Sequence, residues 1–252
     1  MIGYLCERGV ASLTLDRPRC GNALSVGLMQ ALRQAVRSAA DDPAVAMVVL
    51  RASGRHFCAG ADLEWVRAPL TADAALWRQG MEELLGLQRD LYRLDKPLLA
   101  RAQGRVVGAG VSLLCLCDQV IASQDMVCSL PEIRLGMVPT AVLPALRYRL
   151  GPSGARRLLL DARVGLGEQT LPVGLVDEWV GQGQLEAALQ RRIESLQALP
   201  ARTLARTKRL MRELDGHAFE QALEAVWPEA LATLTSDDAR ERMAALRTGS
   251  KE

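Results

Sequence analysis

The stretch "PLLARAQGRVVGAGVSLLCLCDQVIAS" (97–123) decides the fold class. Its opening, "PLLARAQG" (97–104), is short, apolar and closed by glycine, which reads as a buried strand. "GAGVSLLCLCD" (108–118) is opened by glycines and then stays apolar, which reads as a helix. "QVIAS" (119–123) reads as a strand again. Strand, helix, strand is the unit of a parallel sheet, because parallel neighbours need a crossover and the crossover is usually a helix.

The same alternation extends on both sides. "VASLTLD" (10–16) alternates apolar and polar residues, and "AVAMVVLRA" (44–52) is a short apolar run, so both read as strands. Between them "SVGLMQALRQAVRSAADD" (25–42) has helical spacing, with Ser25 as the N-cap. "TADAALWRQGMEELLGLQRDLYRLD" (71–95) is predicted as an amphipathic helix begun by Thr71 and stopped before Pro97, and "MVCSL" (126–130) as a short strand. Four helical segments follow residue 183, at 184–199, 201–214, 219–234 and 236–247, punctuated by Pro200 and by "DGH" (215–217). The chain therefore divides into an α/β core over 1–195 and a helical region over 196–252.

Bulk properties limit the function classes. The chain has 252 residues, 49% hydrophobic and 24% charged, with a net charge of +2. That balance gives no footprint for nucleic acid. No apolar run reaches the roughly 18 residues a membrane span needs. No segment has the form of a signal peptide. Six cysteines and two histidines are present, without a C-x-x-C or a Cys/His cluster, so no zinc site is expected. The reading is a cytoplasmic protein with reduced thiols.

Two stretches carry glycine-opened turns. In "RHFCAGADLEW" (55–65) a strand leads through small residues to an acidic residue and a helix start. In "QGRVVGAGVSLLCLCD" (103–118) Gly104, Gly108 and Gly110 keep the backbone bare before a helix. Singly, each is also an ordinary strand-to-helix packing turn. As a pair on one α/β chain they suggest two N–H donors converging on one oxygen, an oxyanion hole. A third stretch, "SLPEIRLGMVP" (129–139), places Glu132 between a proline and an apolar run, a setting for a catalytic acid/base or for a turn at the surface.

These motifs together resemble the crotonase (enoyl-CoA hydratase/isomerase) superfamily. The resemblance also covers "LTLDRPRCGNAL" (13–24), "FCAGADL" (57–63), "GPSGARRLLL" (151–160) and "GLVDEWV" (174–180). It implies a ββα spiral core with a C-terminal helical oligomerisation region, and assembly as a homotrimer or dimer of trimers. It implies that an acyl thioester, on coenzyme A or on the phosphopantetheine of an acyl carrier protein, is the substrate, with no separate cofactor and no metal. The oxyanion-hole positions match Ala61 and Ala109. The positions that contact the pantetheine and adenine side match Leu24, Ala59, Asp62 and Leu63, and Gly108 is a further substrate-binding position. Lys208 falls where some members reach a neighbouring subunit's nucleotide.

Hydratases of this family carry two glutamates. The second matches Glu132, and the first falls on Ser112, whose hydroxyl is too weak a base to replace a carboxylate but can hold a water or a substrate hydroxyl. One carboxylate can still remove the α-proton and deliver it to the leaving hydroxyl on the same face. The run "PTAVLPALRYRLG" (139–151) resembles two subgroups: the dehydratase of polyketide β-methyl-branching cassettes, acting on 3-hydroxy-3-methylglutaryl carried by an acyl carrier protein, and bacterial 3-methylglutaconyl-CoA hydratase. Both substrates end in a carboxylate, so a cation is expected near the pocket, with Arg67, Arg147 and Arg149 as candidates. Trp65 and Tyr148 read as packing residues or as lining of the acyl pocket, and "ARRLLLDAR" (155–163) as a solvated helix face or as a patch for docking a carrier. The competing readings are an enoyl isomerase, a decarboxylase (against which Glu132 argues) and a non-catalytic scaffold.

Overall fold

The computed structural model describes residues 1–68, 74–162, 165–169, 171 and 174–248. The chain opens with a hairpin of β1 (Ile2–Glu7) and β2 (Val10–Leu15), turned by Arg8 and Gly9 at φ 48° and 78°. Two consecutive positive φ values are the turn that matches the twist of antiparallel strands. Helix α1 (Val26–Asp41) follows, and the predicted cap is present: Ser25 Oγ accepts the Leu28 N–H at 3.2 Å. Its buried side chains are Leu28, Met29, Leu32, Ala35, Val36 and Ala39, one stripe of a 3.6-residue period.

Strand β3 (Met47–Ala52), the short α2 (Leu63–Val66), α3 (Ala74–Arg93), β4 (Leu98–Ala102), β5 (Arg105–Val107) and α4 (Ala109–Cys115) come next. The proposed start of α3 at Thr71 lies outside the described residues. Then β6 (Gln119–Ser123), β7 (Val127–Ser129), α5 (Leu143–Asp161), β8 (Glu178–Val180) and α6 (Leu185–Gln197) complete the core. Gly151 (φ 66°, ψ 175°) and Pro152 break α5 into two helical pieces.

Six strands form one sheet in the order β1-β2-β3-β4-β6-β8, with β1 antiparallel and the others parallel. Both faces of its centre are covered. Val48 and Leu50 join the main core with α1 and α3, while Met47 and Val49 meet Leu185, Leu189 and Ile193 of α6 on the opposite face. This is why β3 shows no polar alternation: period-2 side chains are buried on both sides. A smaller layer stands beside the sheet. It pairs β5 with β7 in parallel and continues as single bridges, Leu24 with Ala61, Cys58 with Val106 and Cys128 with Leu166. This layer carries the candidate site.

One side of α6 is sealed against the sheet, and the chain passes from it through Pro200, which precedes the next helix. The tail then forms α7 (Ala201–Leu214), α8 (Ala218–Ala225), α9 (Trp227–Thr235) and α10 (Asp237–Thr248). Pro228 splits the expected third tail helix in two, since it is accommodated only in the first turn of a new helix. Phe219, Leu223 and Ala230 pack on the main core, whereas α7 buries none of its side chains. Among the described residues no helix is long and apolar enough to cross a membrane. Burial pushes the thiols of Cys58, Cys117 and Cys128 up to about 12, so they behave as small apolar fillers.

Asn22 locks the smaller layer to the sheet. It is fully buried at φ 56°, and its side chain makes three hydrogen bonds. Its Oδ1 accepts the Arg17 N–H at 2.8 Å, and its Nδ2 donates to the Ser53 and His56 carbonyls at 2.9 and 2.8 Å. Asn22→Ala leaves those buried groups unpaired. Urea denaturation is expected to show a loss of about 2–4 kcal/mol, and a loss below about 1 kcal/mol would contradict the assigned role.

Candidate active site

A cavity of about 590 Å³ opens between the smaller layer and the helices. One wall is Ala59–Arg67, another is Val107–Ala109, and a third runs from Pro131 through Val142. Trp77, Met81 and Leu84 of α3, with Ala230 and Thr233 of α9, close the apolar end.

The two glycine-opened turns meet here. The Leu24 N–H donates to the Gly60 carbonyl at 2.8 Å, and the Asp62 N–H donates to the Leu24 carbonyl at 3.1 Å. Bridging on alternate residues leaves the Ala61 N–H turned away from that partner, and it has no acceptor among the described residues. Ala109 is the first residue of α4, so its N–H has no acceptor within the helix, and the described residues supply none outside it. Gly60 (φ 94°) brings the turns together: a Cβ there would lie 2.7 Å from the Val107 carbonyl oxygen and 3.8 Å from the Ala109 nitrogen. Two unsatisfied N–H groups on touching turns form a ready site for a developing oxyanion.

Glu132 faces the second turn. It follows Pro131 and opens a 3-10 turn over Ile133–Leu135. A Cβ on Gly108 (φ 49°) would sit 2.5 Å from Glu132 Oε1, so a side chain there would push this carboxyl group from its place. Oε2 is buried and has no hydrogen-bond partner among the described residues. Burial pushes the carboxyl up to about 7, against a smaller opposing effect from its own backbone N–H. The segment that carries it is pinned at several points. The Met137 N–H bonds the Glu132 carbonyl at 2.9 Å, the Val138 N–H bonds Thr233 Oγ1 at 2.8 Å, and Gln88 Nε2 bonds the Ala141 carbonyl at 2.6 Å.

Of the residues singled out in the sequence, Ala59, Ala61, Asp62, Leu63, Arg67, Gly108, Ala109 and Glu132 line the cavity, as does Trp65. Asp62 also caps α2 and forms an ion pair with Arg17 at 2.9 Å. Leu24 is fully buried behind the wall and acts through its carbonyl, which accepts Trp65 Nε1 at 2.7 Å. Ser112 does not reach the cavity. It is fully buried, and its hydroxyl donates back to the Ala109 carbonyl at 2.7 Å, a common habit of serine in helices. The position matching the first glutamate thus offers the cavity no water-holding group.

Tyr148 also lies elsewhere, its ring 5.3 Å from Tyr92 and 5.5 Å from Phe219. Arg149 is held by Asp177 and by the Gly174 and Cys117 carbonyls, and Arg147 is exposed away from the cavity. Lys208 donates to Asp118 and to the Lys96 carbonyl. Arg156 and Arg157 are exposed on α5, and the Arg163 end of the proposed docking stretch lies outside the described residues. Sequence reading missed the wall from α3 and α9. The apolar stripe of α3 was visible, but nothing in its spacing separates a core face from a cavity face.

The sequence profile of the enoyl-CoA hydratase/isomerase family matches residues 6–247. The 2,3-dehydroadipyl-CoA hydratase of Escherichia coli is 34% identical over 192 residues, covering 73% of this chain and 71% of that protein. The crystal structure of an enoyl-CoA hydratase from Mycobacterium avium superposes with a TM-score of 0.84 at 29% identity, covering 98% of this chain and 96% of the other. An enoyl-CoA hydratase/isomerase from Xanthobacter autotrophicus gives 0.85 at 26% identity, over 98% and 93% of the two chains. This chain, with its spiral α/β core and its paired N–H groups beside a buried carboxyl, belongs to the enoyl-CoA hydratase/isomerase family. It is a hydratase/lyase-type enzyme.

Proposed function

We propose that this enzyme interconverts a 3-hydroxyacyl thioester and its enoyl thioester with Glu132 as its one acid/base, and that its substrate is 3-hydroxy-3-methylglutaryl on an acyl carrier protein, as in polyketide β-methyl branching. The observation that carries the reading is the buried carboxyl of Glu132, whose Oε2 has no hydrogen-bond partner among the described residues, against the turn that bears the Ala109 N–H. The N–H groups of Ala61 and Ala109 take the thioester oxygen and stabilise the enolate. The Glu132 carboxylate removes the α-proton. The C3–O bond then breaks, the same proton goes to the departing hydroxyl, and water leaves. Glu132 ends as a carboxylate, ready for the next cycle. Hydration is the reverse, so both directions start from the ionised form.

Ser112, turned into its own helix, leaves this single-carboxylate route without a helper at that position. The catabolic alternative, hydration of 3-methylglutaconyl-CoA, is the same chemistry run backwards on another carrier. For assembly we propose a homotrimer or a dimer of trimers in the cytoplasm, with α7 as the contact. Its Leu210, Met211 and Leu214 are exposed on one side of a helix none of whose side chains is fully buried in its own chain.

The test is mass spectrometry of 3-hydroxy-3-methylglutaryl thioesters incubated with the enzyme, on CoA and on a carrier protein. Loss of one water is expected, faster on the carrier protein. A faster reaction on CoA would assign catabolism, and no water loss on either carrier would remove this substrate.

A further inference from the structure

Arg67 ends α2, where its N–H bonds the Leu63 carbonyl, and its side chain lines the cavity. Its Nε is buried without a hydrogen-bond partner among the described residues. The other cation on the cavity wall, Arg17, is already engaged: its Nη1 donates to Asp62 and to the Ala23 carbonyl. Neither Glu64 nor Glu132 forms an ion pair with Arg67 among the described residues. The upward displacement of Glu132 comes from burial, with no contribution from a neighbouring cation. A guanidinium in contact with it would have held that carboxyl down. Arg67 therefore presents a permanent charge and a desolvated donor to the cavity, without an anion among the described residues.

We infer that Arg67 receives a carboxylate at the far end of the acyl chain, making the enzyme selective for monothioesters of dicarboxylic acids. The surroundings favour an acyl chain over the phosphates of CoA. Trp65, packed on Gly80 of α3, and Trp77 and Met81 line the same cavity, and these are walls for methylene groups. An alkyl chain of the same length would leave the buried Nε unpaired, so selectivity comes from the penalty on the wrong substrate as well as the gain on the right one. A planar fork on a carboxylate supplies the directional part.

This inference rests on the reading that the cavity holds the acyl part of the thioester, and its test does not depend on turnover. Glutaryl-CoA and butyryl-CoA are saturated and cannot be hydrated. Their affinities are measured by titration calorimetry on the wild-type enzyme, Arg67→Met and Arg67→Lys. The wild type is expected to bind glutaryl-CoA about 10- to 100-fold more tightly than butyryl-CoA. Arg67→Met is expected to erase that gap by weakening glutaryl-CoA alone, and Arg67→Lys to keep part of it. Equal wild-type affinities would overturn the inference. So would a methionine variant that weakens both ligands alike, which would mean that Arg67 serves the CoA moiety or only the fold. A gap in binding without water loss from 3-hydroxy-3-methylglutaryl thioesters would uphold Arg67 and reject the proposed reaction.

Discussion

Glu132→Gln is expected to lower kcat by about 10³- to 10⁴-fold while leaving thioester affinity within a few-fold, because the amide keeps the shape and loses the proton transfer. The wild-type pH profile carries the same signature. With the carboxyl pushed up to about 7, kcat/KM is expected to fall about tenfold per pH unit below that value, since only the ionised form accepts a proton. A profile flat from pH 5 to 8, or a glutamine variant that retains turnover, would remove Glu132 from the mechanism.

The same carboxyl links activity to stability. Its affinity for a proton is higher folded than unfolded, so its favourable contribution is complete below about 4.5 and is lost as pH rises through about 7. At pH 8 the wild type holds an ionised carboxylate in an apolar wall, and the variant does not. Glu132→Gln is therefore expected to be more stable than the wild type by about 3 kcal/mol at pH 8, with the difference fading toward pH 4.5. Thermal melts at the two pH values measure it. An inactive variant that is also the more stable protein distinguishes a catalytic carboxylate from a structural one.

The second large effect is expected at Gly108. Its backbone (φ 49°, ψ −119°) is one that side chains rarely adopt, and a Cβ there would overlap Glu132 Oε1. Gly108→Ala forces either the carboxyl or the start of α4 to move. Either shift misaligns proton transfer with the Ala109 N–H, so kcat is expected to fall about 10²- to 10³-fold, with about 1–3 kcal/mol of lost stability. The double variant with Glu132→Gln is expected to be little worse than Glu132→Gln alone, because both act on one step. Additive losses, or a Gly108→Ala enzyme within about fivefold of the wild type, would separate the two residues.

Much of this site was legible because its parts are local. Ala61 and Ala109 follow glycines at strand-to-helix turns, and Glu132 follows a proline in an apolar run. Backbone conformations of that kind are written in a few adjacent residues. Ser112 was legible as a missing carboxylate, but its role was not. Whether a helical serine faces a cavity or bonds back to the residue three before it depends on what packs around the helix. Arg67, Arg147 and Arg149 looked alike in the sequence. Only folding placed Asp177 beside Arg149, left Arg147 outside and set Arg67 on the cavity wall without an ion-pair partner among the described residues.

The elements divide in the same way. The sequence by itself determined the parallel core strands, helix α1 with its Ser25 cap, α4 and the helical tail. Their signals are periodicity, capping and glycine placement, all within one element's length. It did not show β1, whose residues are mostly exposed at the sheet edge, nor the three-residue strands β5 and β8, which are too short to display a period. The tertiary structure alone decided the packing of α6 on the sheet, the aromatic cluster that takes Tyr148, and the cavity walls from α3 and α9. Those outcomes depend on which distant segments meet, and a single carboxyl group acquires a pKa near 7 only when such segments together remove it from water.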